Sequence, residues 1–188
     1  ITLIDTVKAP FCEEFLERIS QVVDLSKIEY VVSNHVEMDH SGSMPEVMKR
    51  LPNATVLTNA AAEKEHKLHY DTTNWKIQTV KTGDSVSIGK RTLTFLTTPM
   101  VHWPDNMLTY CPEDKILFSN DAFGQHLASS ENFDDELSLD LILAEAKKYY
   151  ANIVMPYSSQ VVTALKAASA LDIKMIAPAH GLIWRTNL

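Results

Sequence analysis

The sequence predicts a mixed α/β fold, and three observations carry that expectation. Strand-like and helix-like runs alternate through the first half. The second half is dominated by short β-prone runs separated by turn dipeptides. The residues best suited to chemistry follow strands, where the sheet of an α/β fold holds site-building loops in place.

Taken in order, ITLIDT (1–6) reads as a strand, PFCEEFLERISQVV (10–23) as an amphipathic helix and IEYVVSN (28–34) as a second strand. Ser43 and Glu46 have the spacing of a capping box, with Pro45 in the first turn of a helix reaching about Arg50. ATVLTN (54–59) is a strand and AAAEKEHKLHY (60–70) a helix. This βαβαβα order calls for a largely parallel sheet covered by helices. From Trp75 the pattern changes to WKIQTV, SVSI, TLTFLTT, NMLTYCP and KILFSN, separated by Gly83-Asp84, Gly89-Lys90 and Pro112-Glu113-Asp114, which are hairpin signals. Leu139, Ile142, Ala146, Tyr149 and Ile153 then recur at helical spacing. A further helix around VVTALKAASAL (161–171) leads to a last strand, KMIAPAH (174–180).

The 188 residues suit one substantial domain and are too few for two of ordinary size, so the expectation is a single domain over 1–188. An apolar fraction of 45% with 22% charged residues is that of a globular chain. The net charge of −7, with no basic stripe, argues against nucleic acid as a partner, and no apolar run is long enough to span a bilayer. Cys12 and Cys111 cannot build a disulfide framework and neither sits in a C-x-x-C, which points to a reducing compartment, the cytoplasm. The chain opens on a strand without an initiating Met, so a piece of a longer polypeptide is expected.

The stretch SNHVEMDHSG (33–42) puts His35, Glu37, Asp39 and His40 within six residues. His35 follows YVVSN, His102 follows TFLTTPMV, Asp121 follows ILFSN and His180 follows KMIAPA. A lone histidine after a strand is usually a structural residue; several in the same setting, one inside a dense cluster, make a metal site. His66 and His69, on a Lys/Glu-rich helix, read as solvated. His126 in NDAFGQH reads equally well as a support for the site or as an ordinary loop residue. Seven ligand groups exceed what one tetrahedral ion needs. Two ions sharing a carboxylate would use them all. Asp121 suits the shared position because a carboxylate has two oxygens and an imidazole only one free nitrogen.

The pattern H-x-[EH]-x-D-H, followed much later by single His, Asp and His residues, resembles the metallo-β-lactamase superfamily. Its dinuclear hydrolases mostly read H-x-H-x-D-H. Here Glu37 stands at the third position, which resembles the flavodiiron proteins, or A-type flavoproteins. HWPDNM (102–107), NDAFGQH (120–126) and APAHGLIWR (177–185) are similar to that family too, so the resemblance runs the length of the chain. It implies a four-layer αββα sandwich, here without its first strands. It also implies one iron on His35, Glu37 and His102, a second on Asp39, His40 and His180, and Asp121 between them.

The implied activity is reduction of dioxygen to water, of nitric oxide to nitrous oxide, or both, making the protein an oxidoreductase. Replacing an imidazole by Glu37 raises the carboxylate count from two to three, and anionic oxygen ligands favour iron that cycles between oxidation states. Two ferrous ions, three carboxylates and a hydroxide would sum to a neutral core, which a mostly apolar pocket can hold. Trp103 and Tyr149 are expected walls of that pocket, and Tyr149 or Tyr150 a hydrogen-bond donor to substrate; each is equally readable as a core aromatic. The resemblance further implies an FMN-binding, flavodoxin-like domain after residue 188, a head-to-tail homodimer and an electron donor such as rubredoxin or a reduced deazaflavin coenzyme. The alternatives are a dinuclear zinc hydrolase of the same fold, which Glu37 and Trp103 fit poorly, and a non-catalytic binding module, against which the intact ligand set argues.

Overall fold

Strands β1 (Thr2–Ile4), β2 (Tyr30–Val32), β3 (Thr55–Thr58) and β4 (Lys76–Thr79) form an all-parallel sheet in that order. Parallel neighbours need crossovers. Helices α1 (Cys12–Ser20), α2 (Met38–Ser41), α3 (Met44–Arg50) and α4 (Ala60–His69) provide them. The computed structural model describes residues 1–188 as two compact units, and this sheet belongs to the first, Ile1–Lys81. Its core gathers Leu16, Val31, Met44, Val47 and Val56, all buried.

Two expectations for this unit need correction. WKIQTV, grouped by sequence with the hairpins, instead completes the parallel sheet as β4, because α4 carries the chain back alongside β3. The capping box does not form. Ser43 already has helical dihedrals (φ −89°, ψ −8°), since α2 runs almost directly into α3, and its hydroxyl donates to the Lys8 carbonyl. A true side-chain cap stands at Asn59, whose Oδ1 accepts from the N–H groups of Ala61 and Ala62.

The second unit, Thr82–Leu188, holds strands β5 (Ser85–Ser87), β6 (Thr92–Thr97), β7 (Met107–Cys111), β8 (Ile116–Asn120) and β9 (Met175–Pro178) in that order. Pairings β5–β6, β6–β7 and β7–β8 are antiparallel, as the hairpin signals predict, and β8–β9 is parallel. The long β8–β9 crossover contains α5 (Leu139–Tyr149), a widened π-helical turn (Tyr150–Val154) and α6 (Ser158–Ala168). Ile142 and Tyr149 are buried as their spacing predicts, but Leu139, at the first turn of α5, is 38% exposed. Leu108, Leu117, Ile142, Ile176 and Leu182 form the core.

Beyond β9 the chain is tied down by buried Asp134. Its carboxylate accepts the backbone N–H groups of Arg185 (2.8 Å), Thr186 (3.2 Å) and Asn187 (2.9 Å), together with the Asn187 side-chain amide. The Arg185 guanidinium lies 3.7 Å over the Phe133 ring. Cys12 and Cys111 are free and buried, as small apolar residues would be. No helix is long and apolar enough to cross a membrane.

Candidate metal centre

In the first unit, β2 delivers the chain to a tight turn in which Glu37 immediately precedes α2, and Asp39 and His40 occupy α2 itself. The four candidate ligands converge. His35 Nε2 lies 3.2 Å from Glu37 Oε2, and His40 Nε2 lies 3.4 Å from Asp39 Oδ1. The two imidazole rings are 5.3 Å apart. His35 and His40 are buried, whereas Glu37 and Asp39 are half-buried.

Neighbouring elements hold this turn. Asp5, in the left-handed region at φ 55°, accepts both the backbone N–H and the side-chain amide of Asn34. The Thr6 N–H and hydroxyl both donate to the His40 carbonyl, at 2.9 and 2.6 Å. Gly42 is required by close packing, since a Cβ there would stand 2.5 Å from the Met38 carbonyl oxygen.

In the second unit three strand ends supply the candidate ligands. His102 follows β6, Asp121 directly follows β8 and His180 follows β9. Asp121, only 2% exposed, is the hub: its Oδ2 lies 3.2 Å from His102 Nε2 and its Oδ1 lies 3.2 Å from His180 Nε2. A carboxylate that turns each oxygen toward a different imidazole has the disposition of a bridging ligand.

Residues with positive φ flank these ligands: Met100 (65°) before His102, Asn120 (54°) and Phe123 (67°) around Asp121, and Gly181 (82°) after His180. Non-glycine residues adopt that region at a cost that the surrounding structure has to offset, and such positions concentrate at functional sites. Here amide side chains stabilise the bends. Asn120 Oδ1 accepts the Asp121 N–H at 2.8 Å and the Asn106 amide at 3.2 Å, while Asn106 Oδ1 accepts the Trp103 N–H. The Ala179 N–H donates to the Asn120 carbonyl at 2.7 Å, tying the His180 strand to the Asp121 strand. Gln125, fully buried, donates to the Phe123 carbonyl and accepts the Leu182 N–H.

Around His180 stand two rings from the sequence analysis. His126 packs edge-on against Tyr149 (4.8 Å) and His180 (5.6 Å), which places it beside a ligand, although the residue itself is exposed. Buried Tyr149 lies 6.0 Å from the His180 ring, whereas Tyr150 is 40% exposed. Tyr149 is one wall of an apolar cavity of about 470 Å³, shared with Val101, Ala122, Gly124 and Val154. Trp103 meets the His102 ring edge-on at 6.2 Å.

The expectation for His66 is overturned. It is fully buried, with Nε2 2.8 Å from Ser33 Oγ, because the face of α4 that carries it and Ala62 turns inward. His69 is exposed as expected. Asp5, Thr6, His66, Asn106, Asn120 and Gln125 all support candidate ligands, and sequence reasoning passed over them in that role. The sequence marks Asn106, Asn120 and Gln125 only as parts of motifs, and His66 only as a solvated helix residue.

In the first unit two carboxylates and two imidazoles, and in the second one carboxylate turned to two imidazoles, are oxygen and nitrogen donors of the kind iron takes. Comparison with known proteins agrees. The sequence model of the family described as "ODP family beta lactamase" matches residues 1–181. A nitric oxide reductase of Moorella thermoacetica is 49% identical over 187 residues, covering 98% of this chain and 47% of that protein. The crystal structure of the flavodiiron protein from Giardia intestinalis superposes with a TM-score of 0.97 at 44% identity, over 99% of this chain and 46% of that one. Rubredoxin oxygen:oxidoreductase from Desulfovibrio gigas gives 0.92 at 40% identity, over 98% of this chain and 46% of that one. The chain therefore spans about half the length of the relatives it matches, and its fold is the expected metallo-β-lactamase-like one.

Proposed function

This chain belongs to the ODP family of β-lactamase-like proteins, and we propose that it is the diiron domain, residues 1–188, of a reductase of dioxygen, nitric oxide or both. The observation that carries the reading is Asp121, whose two oxygens each face a different histidine at 3.2 Å. In this reading His35, Glu37 and His102 would hold one iron and Asp39, His40 and His180 the second, with Asp121 shared between the two sets. The chemistry supplied there would be electron transfer to a small oxidant, with FMN as the source of the electrons.

The protein's own residues do the rest. Three carboxylates balance most of the cationic charge, so the ligand set can sit among apolar side chains without a large desolvation cost. Trp103 and the apolar wall around Tyr149 keep water out. Tyr149, whose ring lies 6.0 Å from that of His180, is the side chain we assign to hydrogen bonding with the substrate. FMN is assigned to a flavodoxin-like domain of the full-length protein, in the rest of the relatives' length. The electron donor is a rubredoxin or a reduced deazaflavin coenzyme, the assembly a head-to-tail homodimer and the location the cytoplasm. Zinc hydrolysis, the other chemistry of this fold, is not favoured with Glu37 at the third position of the motif.

The test is elemental analysis of the full-length protein purified without oxygen from iron-replete cells, with turnover measured beside it. Two irons per chain are expected, with reduction of dioxygen or nitric oxide when the flavin is reduced. One metal per chain, or two zinc and negligible iron, would overturn the reading.

A further inference from the structure

We propose that His66 is a positioning residue: from α4 it fixes, through Ser33, the start of the turn that carries His35, Glu37, Asp39 and His40. The inference rests on the reading of those residues as metal ligands.

Ser33 is the first residue beyond β2, and each of its polar groups is engaged. Its N–H donates to the Leu57 carbonyl (2.9 Å), its carbonyl accepts the Thr58 hydroxyl (2.8 Å), and its Oγ lies 2.8 Å from His66 Nε2 and 3.5 Å from the His35 carbonyl oxygen. The imidazole is thus one atom removed from the backbone of the first ligand. Its ring has little freedom, since Trp75 meets it edge-on at 5.5 Å and Tyr70 lies at 6.0 Å.

Tyr70, just past the end of α4 with its N–H donating to the His66 carbonyl (2.8 Å), does the equivalent at the other end of the turn. Its hydroxyl lies 2.8 Å from Ser41 Oγ, which itself donates to the Val36 carbonyl, so the tyrosine is the donor in that pair. The His66/Tyr70 pair therefore grips Ser33 and Ser41, the two residues that bracket all four ligands.

A buried imidazole is a costly choice for a helix–sheet contact that Leu or Met would fill more simply. What it adds is a directional hold on Ser33. Supporting partners of metal ligands of this kind typically affect metal affinity by about 10–100-fold.

The experiment uses full-length protein and compares the parent with His66→Leu, which fills the space without a polar atom, and His66→Gln, whose amide reaches the place of Nε2. Ferrous-iron affinity is read by chelator competition and the iron environment by Mössbauer spectroscopy, with thermal unfolding of the metal-free proteins as control. His66→Leu should lose about tenfold or more in iron affinity and shift the Mössbauer parameters, and His66→Gln should restore both. A folded His66→Leu protein with parental affinity and spectrum would overturn the proposal, and so would a His66→Gln protein as impaired as His66→Leu. If His66→Leu does not fold, Ser33→Ala is decisive, because it removes only the hydroxyl that His66 holds; parental iron affinity there would overturn the proposal. A parent that binds no iron would instead sink the underlying reading of the ligands.

Discussion

The two units deliver their candidate ligands by opposite means. The first places His35, Glu37, Asp39 and His40 on one short turn and holds that turn with side chains reaching in from β1's exit and from α4: Asp5, Thr6, His66 and Tyr70. The second takes one ligand from each of three strand ends and holds them with bent backbone, at Met100, Asn120, Phe123 and Gly181, cross-tied by Asn106, Asn120 and Gln125. A clustered set can be steadied from outside. A dispersed set depends on each strand ending at the right point, so the geometry is written into φ and ψ. Loss of one supporting contact should therefore cost less folding stability in the first unit than in the second.

The largest expected effect sets the hub against a peripheral ligand. Asp121→Ala removes the carboxylate that faces both His102 and His180 and should strip nearly all iron. Asp39→Ala, in the first unit, should leave about one iron per chain. Elemental analysis of the two variants, purified side by side, measures this. Equal losses would break the division into hub and periphery.

A smaller effect compares the two kinds of support. In Gly181→Ala the new Cβ would stand 2.3 Å from Gln125 Oε1 at a φ of 82°, forcing apart a buried amide that accepts the Leu182 N–H. Strain at positive φ and an unpaired buried polar group should together cost about 2–4 kcal/mol. Thr6→Val removes one of two donors to the His40 carbonyl and leaves the Thr6 N–H in place, for about 1 kcal/mol. Denaturant unfolding of both variants gives the comparison, and a Thr6→Val loss matching that of Gly181→Ala would show that the first unit is no more tolerant than the second.

The same contrast explains what the sequence made legible. The cluster at 33–42 could be read because its ligands are neighbours in the chain, and the parallel order of β1 to β3 followed from alternation. His102, Asp121 and His180 could be found only by noticing that each follows a strand. His66 was misread because α4 has almost no apolar stripe: its buried face is Ala62 and His66, set among Lys and Glu. The partner of β4 was misjudged because local texture is silent about which edge a strand joins. Ser43 and Glu46 had the right spacing for a cap, but spacing cannot show that the chain is already helical at Ser43. Bends at Met100 and Asn120 left no glycine to mark them. Asn59, just before an Ala-rich run, did carry a readable capping signal.

The Asp134 tie has a thermodynamic consequence of its own. Burial alone would raise this carboxyl's affinity for a proton, but the N–H groups of Arg185 and Asn187, and the Asn187 amide, outweigh it and hold the acid below its ordinary value of 3.8. The unfolded chain therefore binds that proton more readily than the folded one. By linkage, the stabilisation is complete above the unfolded value and drains away as pH falls toward the lower folded value. Through that window unfolding takes up a proton at residue 134, and the segment 185–187 should be the part of the second unit that acid loosens first. Unfolding free energy measured against pH should show this as a slope that Asp134→Asn removes; a slope of equal steepness in the variant would assign the acid sensitivity to other carboxylates.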